Sequence, residues 1–555
     1  MKSKLHRFLS IALSMTIAMS LAACGGAQNQ ASSGNSAQSP APSQVGSAAP
    51  AESKSEAAGE SQADASTGDK FIDMKIGIAG DLNTLSPFAM KGSAHNMTKF
   101  SYTEHLCGVN AEGDLDPQVA KSWTTEDGKV YNVEIYDYVT DSAGNHITAA
   151  DIEWSMLFHK AAGTNANLNK MESIKATGDY TLEIVLVDNI IGTFASVTRA
   201  SPVMSRKAYE ESPDEMANEI IATGHYVVEE FEPGSHMVLV KREDYWQTPD
   251  KTAYYSLANA DRIEYKFIKE PSQMAIALET GDINVAQQMN HTIGEKFFDD
   301  PKYDAFISPS AVGTQLYFSG DTNRIVYGNP KLRQAVNVAI DIEGVIQAAY
   351  NGHGSPQYTV GPENSALYLE KWKEEPYFAY DPERAKQLLS EAGYAPGEVT
   401  LVLQCSNVDT QVKIAQVIQG YLLAVGINVE IANLDAALHV NAMKEATGYD
   451  MALDTVRGDY INGMWNTKFN MDFNKGKTFY GLVDEEQQKL LLNCVYEHNA
   501  TPENIDAFHK FLYEKAYARG LCAPENFNFS RAELGVKELH YDPRSFIVAG
   551  ATTFH

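Results

Sequence analysis

Glu104-His105-Leu106 … Gly113-Asp114-Leu115-Asp116-Pro117-Gln118-Val119-Ala120-Lys121-Ser122-Trp123 … Asp127-Gly128-Lys129 … Thr148-Ala149-Ala150-Asp151-Ile152-Glu153-Trp154 is the stretch from which the rest of the chain is read. Glu126-Asp127-Gly128 is the kind of tight turn that joins two antiparallel strands, because glycine accepts the positive φ such a turn needs. Tyr131, Val133 and Ile135 alternate with Asn132 and Glu134, the period-two pattern of a strand with one buried face. A second turn is expected at Asp141-Ser142-Ala143-Gly144-Asn145. Thr148 and Asp151 have the spacing of a capping box, in which two side chains satisfy backbone N–H groups left free at a helix start. Ile152, Met156 and Leu157 are expected to continue on one helical face. The reading at this level is a hairpin followed by a capped helix.

The order of these pieces resembles the family 5 extracellular solute-binding proteins of ABC transporters, the peptide-binding class. The matching residues are Glu104, Leu106, Gly113, Pro117, Ala120, Ser122, Trp123, Asp127, Gly128, Gly144, Thr148, Ala149, Asp151 and Ser155. Cys107 after Leu106 and Val119 in place of leucine depart from the family's pattern. The resemblance implies a two-lobed α/β fold of the periplasmic-binding-protein type II, with an inserted extra subdomain and a ligand cleft between the lobes.

Length and charge are consistent with that. A chain of 555 residues exceeds one ordinary core and calls for two or three lobes. A formal net charge of −28 excludes nucleic acid as a partner, because phosphates need a basic face. Cys24, Cys107, Cys405, Cys494 and Cys522 contain no C-x-x-C spacing, so neither a structural zinc site nor a dense disulfide scaffold is indicated. One bridge among the last four stays open at this point.

Residues 1–23 carry Lys2, Lys4 and Arg7 before an apolar run from Phe8 to Leu21, the layout of a secretory signal rather than a membrane span. Leu21-Ala22-Ala23-Cys24-Gly25 resembles the bacterial lipobox, which implies lipidation of Cys24 and attachment to the extracytoplasmic face of the cell membrane. Residues 24–70, rich in Ser, Ala, Gly and Gln, cannot bury enough apolar area to offset their conformational entropy and are expected to form a disordered tether.

Further along, Met74-Lys75-Ile76-Gly77-Ile78 reads as a strand and Thr223–Gly234 with Val238–Trp246 as a hairpin whose Trp246 is expected in the core. Strand 261–268, helix 272–278 and the residues after Gly281 suggest a parallel crossover. Leu332, Ala335, Val336 and Ala339 share a helical face on which Arg333 is expected to be solvated or ion-paired. Asp381 and Pro382 start a helix that Gly393 ends. Motifs related to the family's recur along residues 71–550. The scheme expected is lobe I from 71–110, 223–310 and 525–555, an inserted subdomain at 111–222, and lobe II at 311–524.

No Gly-x-Ser-x-Gly, His-Glu-x-x-His, Walker loop or dinucleotide fingerprint occurs. No catalytic residue, metal site or cofactor is therefore assigned. The segment Tyr449-Asp450-Met451-Ala452-Leu453-Asp454-Thr455-Val456-Arg457-Gly458-Asp459-Tyr460 resembles the family's "Y-D … W-x-x-D-Y", with Val456 where an aromatic residue is usual. The resemblance implies that Asp459, with Tyr460 and Arg457 beside it, contacts the ligand, the carboxylate pairing with a peptide's α-ammonium group. Arg457 offers a second fate for that carboxylate, a structural ion pair. The implied function is a lipid-anchored, monomeric, non-enzymatic receptor that captures peptides and delivers them to ABC permease subunits. Nickel, haem or oligosaccharide binding on the same fold, or a surface peptide sensor or enzyme, are the alternatives.

Overall fold

Asp73–Ile78 is the first strand of the computed structural model, which describes residues 71–555 apart from 111–113, 249, 290 and 375. The signal segment, Cys24 and the tether lie outside the described residues. Asp73–Ile78 pairs in parallel with Arg262–Phe267 on one side and Val285–Met289 on the other. The helix Pro271–Thr280 makes the crossover between those two neighbours, as the strand–helix–strand pattern predicts. The hairpin Tyr226–Glu232 and His236–Lys241 extends the same sheet antiparallel to Arg262–Phe267. Met74, Ile76 and Ile78 are fully buried against Ile263, Tyr265, Phe88 and Tyr102, each such side chain contributing about 1.5–3 kcal/mol of transfer free energy.

A second α/β unit is built on Val399–Ser406 and Ile427–Leu434, parallel strands joined by the helix Asp409–Ala424. Met451–Arg457 adds in parallel to Val399–Ser406, and Val312–Phe318 adds antiparallel to Met451–Arg457. Its core holds Leu401, Leu403, Ile414 and Ile418 together with Leu332, Ala335, Val336 and Ala339, the apolar helix face expected from sequence. The long strand Ala518–Arg531 belongs to both units. Its first half pairs with Val312–Phe318 and Gly354–Pro356, and its second half with Val285–Met289 and Tyr303–Pro309. This strand runs through position 525, where the sequence scheme drew a boundary.

A separate four-stranded antiparallel sheet is ordered Ala120–Thr125, Val130–Ile135, Thr181–Leu186, Met171–Gly178. Gly128, at φ 69°, makes the turn between the first two. The helix Ala149–Ala162 covers this sheet and begins at the capping box, where the Asp151 carboxylate accepts the Thr148 N–H at 3.0 Å. Ile152 and Met156 are buried as expected, but Leu157 is 42 % exposed. Five residues past Ile152 the helix has turned about 140° off the buried face, so the expectation of a single face fails at that residue. Trp246 is buried and donates to the Thr223 carbonyl.

One buried carboxylate ties the first unit to this sheet. Glu104 is 0 % exposed and accepts from Gln118 Nε2 at 2.8 Å, Tyr245 Oη at 2.7 Å and Ser256 Oγ at 3.0 Å. Arg333 departs from expectation: it is buried and donates to the backbone carbonyls of Val326, Tyr327 and Lys515 rather than meeting solvent or a carboxylate. Cys107, Cys405, Cys494 and Cys522 are buried free thiols, so no bridge joins cysteines among the described residues. Burial raises all four thiols, Cys107 and Cys522 to about 12.

Candidate functional site

Asp459 follows the strand Met451–Arg457 and precedes the helix Ile461–Phe469, whose N-cap is Tyr460. Its backbone is fixed by the Ala366 N–H, which donates to the Asp459 carbonyl at 2.8 Å. The side chain meets two arginines from distant parts of the chain. Arg199, at the end of the helix Thr193–Thr198, places Nη1 3.0 Å from Oδ2, and Arg544 places Nε 3.6 Å from Oδ1. The Arg199 side chain is 9 % exposed and that of Asp459 22 %. Burial alone would raise the Asp459 carboxyl; the charges and hydrogen bonds of the two arginines hold it below the usual range.

Arg544 sits in a turn shaped by Asp542, whose Oδ1 accepts the N–H of Arg544 at 2.9 Å and of Phe546 at 2.8 Å. Burial raises Asp542 to about 6, against those amides and the nearby arginines. Lys99 and Phe100 come from the last turn of the helix Ser93–Tyr102. The Phe100 ring stacks on Tyr255 at 4.5 Å, and the Tyr255 hydroxyl lies 3.5 Å from Arg199 Nη2. Lys99 is 7 % exposed, its Nζ 4.7 Å from the Phe100 centroid, and it has no hydrogen bond or ion pair among the described residues. Burial, with repulsion from Arg544 and Arg199, pushes its ammonium down to about 7, opposed by Asp542 and Asp459.

Lys99, Phe100, Arg199, Asp459, Asp542 and Arg544 line a cavity of about 300 Å³, together with His95 and His159. Burial keeps both imidazoles neutral at pH 7, His159 falling to about 4 with its nitrogens on Ser201 and Thr164. The wall thus presents four cations, the exposed Lys91 with Lys99, Arg199 and Arg544, and two carboxylates, Asp459 and Asp542. Such a site can take a small solute carrying both signs of charge.

A second cavity, of about 540 Å³, lies at the C-terminal end of Val399–Ser406 and is lined by Ser406, Gln411, His439, Asp454 and Thr455 among others. The crevice beyond the carboxyl ends of parallel strands is where open α/β sheets take ligands. Asp454 and Thr455 belong to the strand that ends before Asp459.

Of the residues singled out from sequence, Asp459 lines the first cavity. Tyr460 packs its ring on Gly192, where a Cβ would stand 2.6 Å from Tyr460 Cδ2; burial raises its hydroxyl to about 12. Arg457 is exposed and has no ion pair among the described residues, so the expected alternative of an Arg457–Asp459 pair is replaced by Arg199 and Arg544. Lys99, Arg199, Asp542 and Arg544 were not found by sequence reasoning. The local signal open to it was the charged turn Tyr541-Asp542-Pro543-Arg544. Among the described residues no group of three or more His, Cys, Asp or Glu side chains could hold a metal ion, and no helix is long and apolar enough to cross a membrane.

The family model described as bacterial extracellular solute-binding proteins, family 5 middle, matches residues 114–476. The chain is 26 % identical over 374 residues to the glutathione-binding protein GsiB of Escherichia coli (strain K12), the match covering 66 % of this chain and 70 % of that one. Among solved structures it resembles MppA, a periplasmic murein tripeptide binding protein in its unliganded open form, with a TM-score of 0.76 at 17 % identity, covering 87 % of this chain and 98 % of that one. It also resembles the dipeptide binding protein from Pseudoalteromonas sp. SM9913 in complex with Met-Leu, with a TM-score of 0.63 at 18 % identity, covering 87 % and 100 %. The fold is accordingly the two-lobed type II arrangement expected from sequence. With more than half its length matched, the chain belongs to the family 5 bacterial extracellular solute-binding proteins of ABC transporters, which bind substrate for transport and are not enzymes.

Proposed function

We propose that this chain is a receptor, lipid-anchored through Cys24, that captures a short peptide in the cavity lined by Asp459 and delivers it to ABC permease subunits. The observation that carries the reading is the Asp459 carboxylate on the wall of a cavity of about 300 Å³, held by two arginines of unequal grip. Oδ2 is engaged at 3.0 Å by the buried Arg199, whereas Arg544 stands 3.6 Å from Oδ1 and is the more exposed of the two. A peptide ammonium takes Oδ1 at little cost to Arg199, and Arg544 is released toward the peptide's carboxylate. Relatives named for glutathione and for a murein tripeptide support a short peptide as the solute. Ligand contacts to both lobes then shift the population toward the closed state that a permease recognises.

Titration of wild type and Asp459→Asn with a free-amine peptide and its N-acetylated form tests this. The substitution is expected to weaken the free-amine peptide by about 1.5–3 kcal/mol, the range for hydrogen bonds to charged groups, and to leave the acetylated form almost unchanged. Equal losses for both, or no peptide binding by wild type, overturns the reading. For the anchor, Cys24→Ala is expected to release the protein or leave an unprocessed precursor. A processed Cys24→Ala protein retained at the membrane refutes it.

A further inference from the structure

We infer that the captured peptide carries one carboxylate more than its ammonium and α-carboxylate supply, and that Lys99 is the group that receives it. The inference rests on the reading of the Asp459 cavity as a peptide site and names the class of peptide.

The argument is one of pairing. Asp459 already holds Arg199 and Arg544, and Asp542 spends its Oδ1 on two backbone amides that shape its own turn. Lys91 and Lys99 are the cations of the wall without a polar partner among the described residues; Lys91 is exposed to solvent, whereas Lys99 is nine-tenths buried. Its nearest favourable neighbour is the face of Phe100 at 4.7 Å, a contact worth far less than the hydration it replaces. Burial first, and then repulsion from Arg544 and Arg199, already weakens its ammonium.

A simple zwitterionic dipeptide leaves this imbalance in place. Its ammonium goes to Asp459 and its terminal carboxylate to Arg544, so Lys99 stays unpaired. A side-chain carboxylate supplies the missing partner at a nearly buried ammonium, where a charge-assisted hydrogen bond is strong. The cavity volume of about 300 Å³ stands at the small end of ligand pockets, which suits a dipeptide or tripeptide. Glutamate against glutamine isolates the charge, since the two side chains have nearly the same shape.

The experiment is calorimetric titration at pH 6.5 with Ala-Glu against Ala-Gln and with Ala-Glu-Ala against Ala-Gln-Ala. The proteins are the wild type, Lys99→Met and Lys99→Arg, each checked by a melting curve. Wild type is expected to prefer the glutamate member of at least one pair tenfold or more. Lys99→Met is expected to bring that preference within threefold; Lys99→Arg retains it. If wild type binds both members of each pair equally, the inference falls and the peptide reading stands. If the preference survives in Lys99→Met, Lys99 is not the receiving group. If no peptide of either kind binds, the peptide reading itself is overturned and the inference goes with it. The wild-type comparison needs no variant, so a poorly folding substitution does not protect the idea.

Discussion

Removing the buried guanidinium of Arg199 tests whether the cavity is held together by the charge pair at its wall. In Arg199→Met the side chain keeps most of its length and apolar stem, but Asp459 loses its 3.0 Å partner. A charge-assisted hydrogen bond contributes about 1.5–3 kcal/mol, and breaking a fully buried ion pair costs about 3–5 kcal/mol. Here Arg544 remains 3.6 Å from the other oxygen and Asp459 is about a fifth exposed, so the lower end applies and a loss of about 2 kcal/mol is expected. Asp459→Asn leaves Arg199 buried with the Tyr255 hydroxyl at 3.5 Å and an Nε that has no hydrogen-bond partner among the described residues, for a loss of about 2–3 kcal/mol. Because each change removes the same contact, the double variant is expected to lose about 1.5–2 kcal/mol less than the sum of the two. Urea unfolding followed by both fluorescence and circular dichroism gives the cycle, coincidence of the two probes being the check on two-state treatment. The coupling should persist in 0.5 M salt, since a buried pair is screened far less than a surface one. A coupling below about 0.5 kcal/mol, the level of an exposed pair, refutes the reasoning.

The Lys99 ammonium, depressed to about 7 in the fold, has a definite pH signature. Between about pH 7 and 10 the unfolded chain binds this proton and the native one does not, so stability rises with pH by up to about 1.4 kcal/mol per unit relative to Lys99→Met, and below pH 7 the full cost of burying the charge is felt. Melting curves of both proteins from pH 6 to 9.5 should show the variant's advantage shrinking as pH rises; a constant gap contradicts it. Glu104→Ala leaves Gln118, Tyr245 and Ser256 donors unmatched at a fully buried position, and a loss of about 3–5 kcal/mol is expected by denaturant titration. A loss under about 1 kcal/mol would show that these groups find other partners.

Much of the fold was legible because its signals are local. Thr148 with Asp151, Gly128 in its turn and Asp381 before Pro382 each solve a backbone problem within four residues, and the structure uses each as read. Arg333 was misjudged for the complementary reason. Nothing near it in sequence announces that the Lys515 carbonyl, far along the chain, ends beside its helix. The candidate site followed the same division. Asp459 was found through a resemblance carried by its own segment, whereas its partners Arg199 and Arg544 lie 260 and 85 residues away and carry no periodic pattern that points to it. Lys99 lies on the helix Ser93–Tyr102, a segment in which no motif was read from the sequence. Only the closing of three segments around one cavity turns it into a buried cation without a polar partner.

The strand Ala518–Arg531 has a consequence for how the molecule comes into being. It is an inner strand of the sheet built on Asp73–Ile78 and of the sheet built on Val399–Ser406, and among the described residues it is made after every strand it pairs with. Its partners at 285–289, 303–309 and 312–318 were synthesised more than 200 residues earlier. Until it arrives, Val285–Met289 and Val312–Phe318 each present an open edge, and neither large sheet can be completed in order of synthesis. Pairings of such long range carry a high loop-closure entropy and form slowly. The chain is thereby disposed to stay incompletely folded until residues 518–531 have been made, which is the condition in which a polypeptide can still be threaded across a membrane.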